Sequence, residues 1–275
     1  MSLVGRIDEV QGIAQSEVPM IRLAGFAIVI LTTAAAAEQT YPAFIDRPLV
    51  LAPGTFQPHA GWELLGFRGG GPTRNSLWFG ADVGVLRELQ IGASLVLTEA
   101  PGLGFDRAAA RAVLALHPMT AVRLDTSIYR FLGLPEEYGY ASGIGLSIKI
   151  PLLAGTLSLV SGRSFALPPI GRTIEELHFA DDLFTLDLNH SNVTATVGFP
   201  IGLQLQPIEQ LSLLLRSGYR HGFGGGSYSE DWIPVGLDAL VSFAPVDLIA
   251  SAELPGNVRG HADVFIVRAV AQARF

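Results

Sequence analysis

The chain has 275 residues, a formal net charge of −7 and no cysteine, which excludes disulfides and thiolate metal sites. It contains no run rich in Lys and Arg, so nothing in its charge pattern suggests that it binds nucleic acid. Apolar residues make up 49% and the mean hydropathy is +0.40, yet only one stretch resembles a membrane helix. The apolar residues are therefore spread through short segments. Strands that turn one face to lipid have this pattern, and so does a soluble β-sandwich with a large core.

The N-terminal region has the features of a secretory signal peptide. Arg22 supplies a positive start, residues 23–31 are apolar, and residues 35–37 are the small alanines of a cleavage site. Residues 1–19 carry acidic side chains, which is the wrong charge for the start of a signal peptide. We therefore expect translation to begin at Met20 and cleavage to follow Ala37. The alternatives are a genuinely long N-terminal region before the apolar stretch, in place of a start at Met20, and a retained membrane anchor in place of a cleaved signal peptide.

The rest of the chain divides into two parts. After the signal-peptide region at 1–37, residues 38–54 are predicted to form a periplasmic strap, whose prolines and glycine precede the first strand. Residues 55–275 are predicted to form a transmembrane β-barrel, because apolar residues recur there at every second position. The alternating segments reach the nine or more residues that a tilted strand needs to cross a bilayer.

Short and long connections alternate along this part of the chain. Five short ones are centred near 87–88, 117–119, 153–154, 207–208 and 244–245. Six longer ones lie at 69–75, 99–104, 133–138, 166–190, 222–229 and 255–261. The fold class predicted is all-β, a transmembrane antiparallel up-and-down barrel of about twelve strands with short periplasmic turns and longer extracellular loops. Within the fourth long connection, residues 183–188 alternate and are expected to extend the eighth strand.

The chain ends in Phe275 on an alternating strand. This ending resembles the C-terminal signature of the outer-membrane β-barrel proteins of Gram-negative bacteria, a class that includes porins and transporters. The resemblance covers the last eleven residues and the hairpin pattern, and it identifies no subfamily. It implies location in the bacterial outer membrane, contact with outer-membrane lipid, and recognition of Phe275 by the barrel assembly machinery as an assembly signal.

With the apolar faces turned outward, the opposite faces carry many charges. The predicted pore-lining residues are Arg107, Arg111, Arg123, Asp125, Lys149, Arg216, Arg220, Asp238, Arg268 and Arg274. The acids Glu63, Asp82 and Glu253 fall on the same side of the wall. Arginines facing acids set the field inside a pore, so the sequence favours passive passage of small hydrophilic solutes, with anions preferred. The alternative is a closed structural or adhesion barrel, in which these charges pair across the lumen and the extracellular loops bind.

A third hypothesis is a lipid hydrolase on the barrel surface. His190 adjoins Ser191, but neighbours on a regular strand face opposite ways and cannot pair. His221 lies near Ser227 and Ser229 in the same kind of loop. No catalytic residue is therefore assigned, and the protein is not expected to be an enzyme.

Histidines also raise the question of a metal site. His178, His190, His221 and His261 fall in or beside predicted loops, but their spacings fit no ligand motif. We predict neither a metal nor a cofactor. Trp62, Trp78 and Trp232 lie near predicted strand ends, where an aromatic girdle would place them at the depth of the lipid headgroups. Packing in a protein core explains a tryptophan equally well.

Overall fold

The computed structural model describes residues 42–67, 73–99, 103–131, 134–161, 184–189, 194–224, 228–254 and 264–275. The predicted signal-peptide region at 1–37 and the residues His178, His190, Ser191 and His261 lie outside these ranges. No helix in the described part of the chain is long and apolar enough to cross a membrane.

Strands form almost all of the regular structure. A short 3-10 turn at Phe44–Asp46 precedes fourteen strand segments. These are β1 (Phe56–Phe67), β2 (Arg74–Gly84), β3 (Leu89–Glu99), β4 (Leu103–His117), β5 (Thr120–Phe131), β6 (Leu134–Leu153), β7 (Leu157–Ser161), β8 (Phe184–Asn189), β9 (Thr194–Ile208), β10 (Leu211–Gly224), β11 (Tyr228–Trp232), β12 (Val235–Phe243), β13 (Val246–Leu254) and β14 (Val264–Ala273). Neighbouring strands pair antiparallel throughout.

The sheet closes on itself, because the first strand pairs with the last. His59 lies opposite Gln272 and Phe67 opposite Val264, so β1 and β14 run side by side over most of their length. Two positions in the wall are each filled by two segments. β7 and β8 both lie between β6 and β9, while β11 and β12 both pair with β10. The fourteen segments therefore form a closed antiparallel barrel of twelve strands, as the alternating pattern predicts.

The position of β8 differs from the prediction. Leu186 lies opposite Ile144 of β6 on one side and opposite Val197 of β9 on the other. The segment therefore continues the line of β7 in the seventh strand and does not extend the eighth. The prediction was wrong because alternation identifies a strand without identifying the strands beside it.

The two faces of the wall have opposite chemistry. On β12 the side chain of Leu237 is 54% exposed, whereas that of Asp238, the next residue, is 0% exposed. On β3, Ile91 and Leu95 are exposed while Gln90 and Thr98 are buried. The outside of the barrel is apolar and the inside is predominantly polar, which inverts the distribution of a soluble β-sandwich and fits a wall surrounded by lipid.

One predicted girdle residue lies inside the barrel. Trp78 is 0% exposed, and its ring packs across the backbone of Gly61 on the adjacent strand. A Cβ at Gly61 would lie 2.3 Å from the ring, so only glycine allows this approach. The girdle prediction was wrong for Trp78, since the parity of its position on β2 turns its side chain inward.

Candidate functional site: the barrel interior

An ion-pair network lines one side of the interior. Arg268 contacts two acids, with Nε 2.8 Å from Oε2 of Glu63 and Nη1 2.9 Å from Oε2 of Glu253. Arg216 continues the network, with Nε 2.7 Å from Oδ2 of Asp238 and Nη2 3.6 Å from Oε2 of Glu253. All five side chains are buried. Three carboxylates therefore share two guanidinium groups in this cluster.

The strand order explains why these residues meet. β1, β14, β13, β12 and β10 are consecutive in the wall, and each contributes an inward position at a similar level. Glu63 lies directly opposite Arg268, and Ser251 lies opposite both Arg268 and Asp238. The hydroxyl of Ser251 donates to Asp238 and accepts from Nη2 of Arg216, which adds two hydrogen bonds to the Arg216 part of the network.

A second cluster lies on β2, β4 and β5. Nε of Arg111 is 2.8 Å from Oδ1 of Asp82, and its Nη2 contacts the other carboxylate oxygen. Asp125 lies opposite Arg111 across the β4–β5 ladder, and Nε of Arg123 is 3.0 Å from Oδ2 of Asp125. Bidentate arginine–carboxylate contacts are strong and geometrically specific, so this cluster fixes its side chains in place.

The structure buries most of the predicted pore-lining residues in the barrel wall. The buried ones are Arg107, Arg111, Arg123, Lys149, Arg216, Arg220, Asp238 and Arg268, while Asp125 and Arg274 are half-buried. Five of them are divided among three parts of the interior. Arg111 and Arg123 belong to the second cluster, Arg216 and Arg268 to the first, and Lys149 contacts the N-terminal segment described below.

Apolar side chains form a buried cluster on the inner surface of the barrel. One contiguous cluster of buried residues joins Phe44, Trp78, Val96, Val160, Leu214, Leu240, Ile249 and Val270. Apart from Phe44, these residues come from β2, β3, β7, β10, β12, β13 and β14, on opposite sides of the closed wall. Leu240, Ile249 and Val270 lie opposite one another in the strand register, as do Trp78 and Val96, so the cluster follows the inner surface of the wall. Every member is 4% exposed or less. In this conformation the interior is packed at that level.

The segment that precedes β1 lies in the barrel at the end that carries the short turns. Lys149 on β6 donates from Nζ to the carbonyl oxygens of Phe44 (3.3 Å) and Arg47 (3.1 Å). The amide of Ile45 donates to Oε1 of Gln206 on β9, at 3.1 Å. These hydrogen bonds satisfy buried backbone groups that no strand ladder pairs.

An ion pair attaches the same segment to the opposite part of the wall. Nη1 and Nη2 of Arg47 lie 2.6 and 3.0 Å from the two carboxylate oxygens of Asp247 on β13. Asp247 also accepts hydrogen bonds from Ser242 and Gln272, and all of these contacts are largely buried. Sequence reasoning missed Arg47 and Asp247, because the partners are 200 residues apart and Arg47 lies in a segment without periodicity.

A different polar cluster lies near the loop end of β10. Nδ1 of His221 is 2.6 Å from Oδ1 of Asp231, and the hydroxyl of Tyr219 donates to the same oxygen. All three residues are partly exposed, Tyr219 most of all. The side chains of Ser227 and Ser229 lie outside the described part of the chain. Within the described ranges no cluster of metal-ligating residues occurs.

Comparison with protein-family models finds no match, and comparison with the sequences of curated proteins finds none either. Among solved structures, the NanC porin superposes with a TM-score of 0.50 at 7% identity, covering 80% of this chain and all of that chain (100%). The KdgM porin in complex with disordered oligogalacturonate superposes with a TM-score of 0.48 at 7% identity, covering 79% of this chain and 99% of that chain. The translocator domain of the autotransporter NalP from Neisseria meningitidis superposes with a TM-score of 0.45 at 11% identity, covering 93% of this chain and 96% of that chain. The likeness to NanC bears on the fold, which is that of an outer-membrane β-barrel.

Proposed function

We propose that this protein is a channel of the Gram-negative outer membrane that lets small hydrophilic solutes diffuse through the barrel. The observation that carries the proposal is the inverted wall, apolar outside and lined with charged side chains inside. In an outer-membrane barrel of this kind, the short turns face the periplasm and the longer connections face the cell exterior. Porin-like passage requires a polar lumen. A barrel of twelve strands is wide enough to enclose a lumen through which small solutes pass.

The interior charges also bear on selectivity. Arg111, Arg123, Arg216 and Arg268 are neutralised by neighbouring carboxylates, so they shape the lumen more than they attract anions. Four further inward cations, Arg107, Lys149, Arg220 and Arg274, lie outside the two clusters. Since the side of the wall predicted to line the lumen carries eight cations against the five acids Glu63, Asp82, Asp125, Asp238 and Glu253, we propose a modest preference for anions over cations.

Single-channel conductance in planar bilayers tests the proposal, with the mature chain refolded and its folding verified by heat-modifiable gel mobility. Discrete steps with an anion-shifted reversal potential in a salt gradient are expected. Arg107→Gln should reduce the anion preference, and Arg87→Gln, in an exposed turn, should leave it unchanged. If Arg107→Gln conducts with the same reversal potential as wild type, the proposed anion preference is contradicted, whereas the proposed channel is not.

The closed structural or adhesion barrel remains the second candidate, because the apolar cluster packs the lumen in the described conformation. A folded protein that never conducts, whether wild-type or with the variants described below, would favour this candidate. Binding through the loop end of the barrel would then become the function to test.

A further inference from the structure

We propose that residues 42–53 form a releasable plug in the periplasmic mouth of the barrel, and that the channel opens when this plug leaves the lumen. The inference rests on the proposed channel function and adds its regulation. It starts from the burial of Phe44, Ile45, Arg47 and Leu51, all 5% exposed or less although they precede the first strand of the wall.

The plug spans the mouth and does not follow a single strand. Its contacts reach Gln90 on β3, Lys149 on β6, Gln206 on β9 and Asp247 on β13. These strands are distributed around the whole circumference of the barrel. A segment held simultaneously by strands on all sides must cross the lumen, so it obstructs the path of a solute.

Apolar packing seals the same mouth at two levels. Phe44 belongs to the buried apolar cluster that also contains Trp78, Leu214 and Leu240 of the wall. Nearer the short turns, Val50 packs in a second cluster with Val113 of β4 and Ala121 of β5. Without Phe44, the deeper cluster loses a large side chain that does not belong to the wall.

The attachments are of a kind that can be released. The chain joins the wall through backbone hydrogen bonds at Gly54 and Thr55, which pair with Gly84. Upstream of that point, the hydrogen bonds to Gln90, Lys149, Gln206, Ser242 and Asp247 each use a side chain of the wall. Releasing the plug therefore leaves every rung of the barrel ladder intact.

The ion pair of Arg47 with Asp247 is the main polar attachment, and its energetics favour reversibility. A buried ion pair gains little over the same two ions in water, because desolvation offsets most of the attraction. When the plug leaves, water enters the mouth and hydrates both groups. Truncating Arg47 alone is different, since it strands Asp247 in the closed state and so shifts the equilibrium toward the open one.

The absence of native cysteines makes a direct test simple. Val50→Cys combined with Val113→Cys, or with Ala121→Cys, should form a disulfide that locks the plug in place. The locked protein should conduct rarely, and a reductant applied from the short-turn side should restore the wild-type open probability. The single variant Val50→Cys, treated in the same way, is the control.

The complementary variants release the plug. Arg47→Ala and Phe44→Ala should each raise the open probability at least about tenfold over wild type, the shift expected when one attachment of a two-state gate is lost. Arg87→Ala, which removes an exposed arginine at the same end of the barrel, should have no effect. Both sets of variants are checked for folding by heat-modifiable mobility.

The outcomes separate the plug from the channel. If the oxidised and reduced double-cysteine proteins conduct equally, and Arg47→Ala matches wild type, the plug inference is overturned while the channel stands. If no variant conducts although all are folded, the channel proposal fails as well. Low conductance in wild type, high conductance in Arg47→Ala and a redox-controlled lock together support the plug.

Discussion

Arg111 and Asp82 form a buried ion pair across the strand that separates them. Asp82 on β2 and Arg111 on β4 lie opposite the same residue of β3, Gly92, and their side chains meet over its backbone. A Cβ at Gly92 would lie 2.0 Å from Oδ1 of Asp82 and 2.9 Å from Nε of Arg111. Asp82 and Arg111 are on strands that are not neighbours, and their side chains meet because the glycine between them has no side chain.

Gly92→Ala should therefore destabilise the folded barrel by about 3 kcal/mol, because one of the two charges must move and leave its partner unpaired. Urea unfolding in lipid vesicles, followed by tryptophan fluorescence, measures the change. Gly104→Ala is the matched control, since a Cβ there would meet its nearest atom, on Arg130, at an ordinary 3.4 Å. Equal stability of the two variants would show that the ion pair does not depend on Gly92.

Arg268 contacts two buried acids at once, which makes this cation costly to remove. Arg268→Met should lower the free energy of unfolding by about 3–5 kcal/mol, because Glu63 and Glu253 are left buried without their shared partner. Adding Glu63→Gln to this variant should recover part of the loss. Additive effects of the two substitutions in urea unfolding would contradict a direct interaction.

Leu237 tests whether lipid surrounds the wall. Leu237→Arg should cost about 2–4 kcal/mol if the residue faces the bilayer core, and close to nothing if it faces water. Leu237→Ala is the control for lost apolar area. The unfolding free energy is measured in vesicles. Retention of the folded band on gels checks that each variant is folded. A neutral Leu237→Arg would overturn the membrane orientation of this face.

A substitution at Phe275 distinguishes folding of the barrel from its assembly in the cell. Its backbone exchanges hydrogen bonds of 3.0 and 2.9 Å with Phe56, while its side chain is 38% exposed. Phe275→Ala should therefore refold in vitro almost as wild type does. In cells, the amount of folded protein in the outer-membrane fraction should fall, because the assembly machinery is expected to recognise the terminal aromatic ring. Normal levels in that fraction would remove Phe275 as an assembly signal.

Much of the fold follows from local pattern alone. A strand has only two faces, so the parity of a position determines whether Leu237 or Asp238 faces inward. The same rule placed the predicted arginines on the inner face. It also contradicts a girdle position for Trp78, whose parity matches that of the buried residues around it. Nearness to a strand end was the weaker signal there.

The partners within the interior could not be predicted in this way. An up-and-down barrel implies that β1 pairs with β14, but the contact between Glu63 and Arg268 also requires a register that nothing in either strand specifies. The placement of β8 failed for the same reason, since residues 184–189 carry the alternation of a strand but no mark of its position in the wall. Register and closure come from the whole sheet.

The sequence by itself therefore determined the strands, the inward and outward faces and the number of strands in the barrel, because these depend on a period of two and on turn residues. Only the tertiary structure decided which charges pair and what fills the lumen. The contact of Arg47 with Asp247 spans 200 residues and joins an aperiodic segment to the wall. It exists only because closure of the barrel creates an interior that the N-terminal segment can occupy.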